Sequence, residues 1–339
     1  MEWLLERRKQ FQFCTELRKV RRLSIIFVAF CALALSAVWS KGSLAAEIRL
    51  GLVPANIFTA PAYAAQKLNY YKDAGLDVKF IVFRGGAAAQ EAMTARQVDI
   101  IDYFGPAAAL AITKGVKQKI VAVNMPGHTG WHVIVKTDSP IKSIKDLAGK
   151  KIGISAKATT SDMAALWVAD RAGVQMQQVP VGPAALAPAL RAGQIDAVVF
   201  SAILTNREMA AGHARSILEL TDVMEPTIAD AYVASQEMMD KRPADLRAFL
   251  AATLKGLEYM KANRTWSLNF LSEFSKIDDQ AILALLQDKI VPRIPENGRI
   301  DKAWVDAGLK LAARAWDVPD LLKIDSSTIF TNEFLPGGK

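Results

Sequence analysis

The sequence predicts an α/β protein of two similar lobes joined by a hinge, with a ligand cleft between them. Three observations carry that expectation. Short β-rich runs alternate with helical stretches of about 10 to 15 residues, which implies parallel βαβ units with right-handed crossovers. One order of elements occurs twice along the chain. The two occurrences are separated by HVIVKTDSPIKSIKDLAGKK, residues 132–151, which reads as a strand, a turn at Pro140 and a short helix ending at Gly149.

The first occurrence opens with the strand IRLGLV from Ile48 and a helix from Pro61 to Ala74. It continues with the strand LDVKFIVF, a helix from Ala87 to Ala95, the strand VDIID, a helix from Pro106 to Lys114 and the strand KIVAVN. The second repeats its markers. Gly153 matches Gly51, Ala172-Gly173 matches Ala74-Gly75, and Val179 to Gly182 matches Val82 to Gly85. Gln194-Ile195-Asp196 matches Gln97-Val98-Asp99, and Gly212 matches Gly115. An apolar run from Ala229 to Ala234 is the return crossing, residues 243–316 keep helical spacing, and the last twenty residues read as a tail. The expected division is therefore a leader at 1–45, a first lobe of 46–135 plus 231–339, and a second lobe of 136–230.

Within the second copy, Thr159, Thr160, Ser161 and Asp162 stand between the apolar run Ile152–Ile154 and the helical pattern Met163, Leu166, Trp167. These residue types cap a helix start, whose free N–H groups favour anions. An ordinary capped helix is the alternative reading.

Most of the formal charge of +8 sits in residues 1–45, where Arg7, Arg8, Lys9, Arg18, Lys19, Arg21, Arg22 and Lys41 face only Glu2, Glu6 and Glu16. The remainder is too nearly balanced for a nucleic-acid binder. The basic residues run up to the apolar segment Leu23–Trp39 and then Ser43-Leu44-Ala45, the plan of a cleavable secretory signal peptide. A membrane anchor is the competing reading of that segment. Cys31 follows Phe30 rather than the small residue a lipoprotein signal takes, and Ser24 stands where a twin-arginine signal takes an apolar residue, so a general secretory route is expected. Both cysteines, Cys14 and Cys31, lie in the leader. The exported chain then has no disulfide, thiolate or Cys-ligated zinc, which fits a periplasm.

No nucleophile elbow or phosphate-cradling glycine loop is present, and the three histidines, His128, His132 and His213, lack the partners of a metal site. No enzyme, cofactor or metal is expected. Candidate cleft residues are instead those at strand ends. Arg84, before Gly85-Gly86, is either a bidentate anion clamp or a solvated strand-end charge. Tyr103 and Phe104 end a strand and either stack on a ligand or floor the cleft. His128 and Trp131 lie in the loop GHTGWH just before the first crossing, and Tyr232 offers a hydroxyl from the second. Asp230 is an amine partner or, more simply, a surface hinge carboxylate.

The runs GLVPANIFTAPAYAAQKLNYYKDAGLDVKFIVFRGG, ARQVDI, SPIKSIKDLAGKKIGIS and RAGQIDAVV resemble the periplasmic solute-binding proteins of ABC importers. The branch these runs resemble is the nitrate, sulfonate and taurine type, which includes binders of thiamine-pyrimidine precursors. The resemblance covers roughly residues 47–270 and implies the type II periplasmic-binding-protein fold. It implies hinge closure on one small molecule and delivery to a membrane permease with its ATPase subunit, the binding protein being a monomer. It places Asn56, Phe58 and Thr59 in a ligand-contact loop, and Thr159, Thr160 and Ser161 at the helix start that receives a ligand's charged oxygens. The expected ligand is a small organic anion, of the sulfonate, taurine, nitrate or carboxylate class. A thiamine-pyrimidine precursor, or an enzyme on the same fold, is the alternative.

Overall fold

The computed structural model describes residues 45–53 and 56–338. The leader reading, at 1–45, falls almost wholly outside the described residues. Among those described, no helix is long and apolar enough to cross a membrane.

In chain order, the first run comprises β1 (Ala46–Leu52), α1 (Ala60–Lys67), α2 (Tyr70–Asp73), β2 (Leu76–Val82), α3 (Gly86–Thr94), β3 (Ile100–Tyr103), α4 (Gly105–Thr113) and β4 (Gln118–Pro126). The second comprises β5 (His132–Lys136), β6 (Lys151–Ile154), α5 (Thr160–Ala172), β7 (Gln177–Pro180), α6 (Leu186–Arg191), β8 (Ala197–Phe200), α7 (Ala202–Ala210) and β9 (Ala214–Glu219). Then follow β10 (Ile228–Ser235), α8 (Gln236–Lys241), α9 (Pro243–Ala262), α10 (Arg264–Ser275), α11 (Gln280–Leu285) and α12 (Lys302–Ala315).

Two five-stranded sheets result, ordered β2-β1-β3-β10-β4 and β7-β6-β8-β5-β9. In each, the first three strands are parallel, and the fourth enters antiparallel to both of its neighbours. The inserted strand is always the crossing strand: β5 in the second sheet, β10 in the first. This moves both expected lobe boundaries. His132–Val135 belongs to the second half rather than the first, and Ile228–Asp230 to the first rather than the second. A crossing strand gains a full ladder of hydrogen bonds only by lying wholly inside the sheet it enters, so the chain passes between halves in the loops 127–131 and 220–227.

The apolar positions of β1, Ile48, Leu50 and Leu52, are fully buried against helices α1 and α9. Gly153 sits mid-strand in β6 because a Cβ there would come 2.4 Å from Ile195 Cδ1. In the first crossing loop Gly130 has φ +70°, and a Cβ would meet Ile290 Cδ1 at 2.5 Å. The helix expected over 61–74 is broken at Asn69, whose φ of 60° is left-handed. The helical reading of 243–316 is interrupted at 276–279 and at 294–301.

The C-terminal segment is more than an appendage of the first half. Helix α12 packs on α4 from the first half and on α5 from the second. Trp316 Nε1 donates to Asp162 Oδ2 at 3.0 Å, and Arg314 pairs with Asp170. The expected tail is packed: Ile329, Phe334 and Leu335 are buried, and on β4 Ile120 N donates to Ile329 O while Ile120 O accepts from Thr331 N. Apolar side chains that look unremarkable in a polar, Pro- and Gly-rich stretch find the exposed edge of the first sheet.

Candidate functional site

Between the two halves lies a cavity of about 110 Å³, several times what one water needs. Its second-half wall is the loop after β6 and the start of α5. Thr159 is the N-cap, extended at φ −114° and ψ 172°, and its hydroxyl accepts from Asp162 N at 3.4 Å. Ser161 Oγ accepts from Ser155 N at 2.9 Å and lies 2.8 Å from Ser155 Oγ, so the hydroxyls of Ser155, Thr159 and Ser161 form one cluster. The N–H groups of Thr160 and Ser161 have no intrahelical acceptor and stand at the positive end of the helix, in residues that line the cavity. Thr160 Oγ1 donates across the gap to Ala229 O at 3.3 Å.

The first-half wall differs in kind. Asp102 on β3 and Asp230 on β10 both line the cavity and are buried. They lie side by side because β10 inserts next to β3, and two neutral amides clamp them together. Asn124 Nδ2 donates to Asp102 Oδ1 at 3.1 Å and to Asp230 Oδ1 at 2.9 Å. Asn56 Nδ2 donates to Asp102 Oδ2 at 3.1 Å and also to Asp230 Oδ2. Burial raises both carboxyls above the ordinary carboxylate range, Asp102 far above it, with the neighbouring acid reinforcing the shift at Asp102. Among the described residues, no Lys, Arg or His lines the cavity.

Aromatic rings of Phe58, Tyr103, Phe104, Trp131 and Phe200 complete the lining, with Gly85 at its edge. Nine of the thirteen residues expected in the cleft therefore meet at this cavity: Asn56, Phe58, Gly85, Tyr103, Phe104, Trp131, Thr159, Thr160 and Ser161. Four do not. Thr59 is buried and spends its hydroxyl on Asn56 O at 2.7 Å. Arg84 is exposed, and among the described residues it has no ion pair and stays outside the cavity, because the strand ends at Val82 and turns its side chain to solvent. His128 is buried behind Trp131, edge-on at 5.4 Å between ring centroids, and burial pushes its imidazole down to about 4. Tyr232 packs edge-on against Phe249 at 5.5 Å, away from the cavity.

Two corrections concern charge. Asp230 is a buried cavity carboxylate, not a surface hinge charge, because β10 carries it into the sheet interior. Asp102 was not singled out by sequence reasoning. The available signal is that IIDYF and IADAYVA each hold one acid within an apolar strand run.

Comparison with known proteins agrees with this architecture. Residues 56–265 match the family model described as NMT1/THI5 like, and the chain belongs to that family. A Brucella abortus protein described as a binding protein is 27% identical over 236 residues, covering 68% of this chain and 72% of the relative. The formylaminopyrimidine-binding protein of Halalkalibacterium halodurans is 26% identical over 313 residues, covering 87% and 92%. The alkanesulfonate-binding protein SsuA of Xanthomonas axonopodis, solved with MOPS, superposes with a TM-score of 0.69 at 17% identity, covering 82% and 94%, which shows the periplasmic-binding-protein fold.

Proposed function

We propose that the protein is an exported solute-binding protein of an ABC importer whose ligand presents nitrogen donors, as an amine or an amino-substituted heterocycle, to Asp102 and Asp230. The cavity's charge composition carries this reading: among the described residues, two buried carboxylates line it and no cationic side chain does. A simple anion such as nitrate would meet an acidic wall without a counter-cation. A ligand with an acceptor or acid group at its far end would also satisfy the N–H groups of Thr160 and Ser161, and the aromatic rings suit an apolar or planar centre. Both an aminosulfonate such as taurine and a thiamine-pyrimidine precursor have this layout. The formylaminopyrimidine-binding relative and the sulfonate-binding fold neighbour support that range. Binding rather than chemistry is the reading supported by relatives described as binding proteins. Hinge motion through loops 127–131 and 220–227 would close the two walls on the solute for delivery to a permease.

A thermal-shift screen tests the ligand class, since a cleft binder gains RT ln(1 + [L]/Kd) in stability. Taurine or formylaminopyrimidine raises the melting temperature, whereas nitrate and 2-hydroxyethanesulfonate, the hydroxyl analogue of taurine, do not. An equal shift from 2-hydroxyethanesulfonate would overturn the nitrogen-donor reading.

A further inference from the structure

The four side chains Asn56, Asn124, Asp102 and Asp230 close a ring. Each amide nitrogen has two hydrogens, and each gives one to Asp102 and one to Asp230. Every amide donor of the ring is thereby consumed, and the two acids are held together by groups that carry no charge. Among the described residues neither acid bonds a Lys, Arg or His. The nearby charges are occupied elsewhere: Arg49 on β1 is bonded to Asp99, and Lys157 beside α5 bonds Asp162 and Gln178. Tyr63 on α1, half-buried, and Tyr232 on β10, buried, are the phenols near the pair, and burial raises both above the ordinary phenol range. His128, just beyond β4, is buried and neutral. Two adjacent carboxylates in such a place cannot both be ionised without a cation.

We propose that Asp102 and Asp230 hold a single shared proton while the cavity is empty, and surrender it to solvent when a ligand's cationic nitrogen takes its place between them. This rests on the reading of the cavity as a nitrogen-ligand site and narrows it, from any N–H donor to a cation. The exchange balances: a pair of net charge −1 and an ammonium of +1 become two carboxylates, the bound ammonium and one released proton. Asn124 does not line the cavity and acts as a positioning residue, keeping both Oδ1 atoms turned inward so that the Oδ2 edge beside Asn56 meets the ligand. Affinity for an ammonium ligand then rises about tenfold per pH unit until the empty pair ionises, and levels off above that point.

The empty protein is tested first, by infrared spectroscopy at pH 7. Exposed carboxylates are ionised there, so a protonated-carboxyl C=O band isolates the pair. The band is present in wild type, declines as pH is raised, and is missing from folded Asp102→Asn. Folded wild-type protein without the band overturns the proposal whatever the ligand is. The second test is calorimetry in buffers of different ionisation enthalpy, with taurine and with 4-amino-5-aminomethyl-2-methylpyrimidine as cationic probes and formylaminopyrimidine as the neutral one. A cationic probe releases close to one proton on binding, and the neutral probe none. Cationic binding with no proton release refutes the exchange while leaving the nitrogen-ligand reading intact. Failure of all three probes to bind, with the band present, removes that reading and leaves the one-proton pair standing.

Discussion

The two walls of the cavity descend from the same β-loop-helix unit and have opposite chemistry. In the second half, the loop after β6 spends its side chains on one another: Ser155, Thr159 and Ser161 form a hydroxyl cluster at the start of α5, whose first backbone N–H groups have no intrahelical acceptor. In the first half, the corresponding loop turns Asn56 outward onto two acids brought by β3 and β10. Duplication supplied a two-sided frame, and the residues carried by the two inserted strands made the sides unequal. Both sheets take in a crossing strand, but β5 and its neighbour β8 carry no acid, whereas β10 sets Asp230 beside Asp102 of β3. The consequence is polarity: an acceptor end and a donor end of a ligand have distinct places, which discriminates against molecules with two like ends.

The strongest way to break that asymmetry is to remove the acids. Asp102→Ala with Asp230→Ala is expected to weaken binding of the solute found in the screen by about 100-fold or more, since truncating a buried charged partner costs several kcal/mol. Calorimetry on the folded variant measures it, and a loss below tenfold would make the two walls equivalent. His128 sharpens the comparison through pH. Its imidazole is neutral when folded, pushed down to about 4, against an ordinary value of 6.5. Between those values the unfolded chain binds the extra proton, so stability falls as pH drops through 6.5 and levels off near 4. The loss is at most about 3 kcal/mol, and denaturant titrations of His128→Phe should show it largely removed.

On the opposite wall, Ser161→Ala with Thr160→Ala removes hydroxyls but leaves the backbone N–H groups in place. A loss of about tenfold in affinity is expected, with the preference for nitrogen ligands unchanged, because each neutral hydrogen bond contributes about 1 kcal/mol. Thr159→Ala removes the cap bond and should lower stability by about 1 kcal/mol, read by chemical denaturation. The smallest effect belongs to Arg84→Ala. An exposed side chain outside the cavity should change affinity less than about twofold and stability within about 0.5 kcal/mol. A tenfold loss of affinity would restore Arg84 to the first-half wall.

The repeat was legible because it rests on glycines and strand-end acids whose roles are local: Gly51 and Gly153 permit close packing, and Asp99 and Asp196 each accept a backbone N–H of the neighbouring strand. The cap at Thr159 was legible for the same reason. What the sequence concealed is set by pairing between distant strands. Whether Asp230 lies at a surface or in a sheet depends on β10 entering between β3 and β4, and the register that opposes Tyr232 to Asp102 has no local signature. Tyr232 and His128 illustrate the converse: polar residues beside a crossing look available to a ligand, yet both are buried elsewhere. Ile329, Phe334 and Leu335 were overlooked because three apolar residues among prolines and glycines show no period until a sheet edge collects them.

The inserted strand also sets an order of assembly. The second sheet is complete within one continuous stretch, from β5 to β9, and its contacts can form as soon as that stretch is available. The first sheet cannot close until β10 arrives, and Asn124 must find Asp230 across 106 residues of intervening chain. Long loops of this kind delay the pairings that depend on them. The acid pair is thus among the last features to form, and a chain that has made it has already threaded both crossings. Solute affinity in this protein doubles as a report on whether folding has finished.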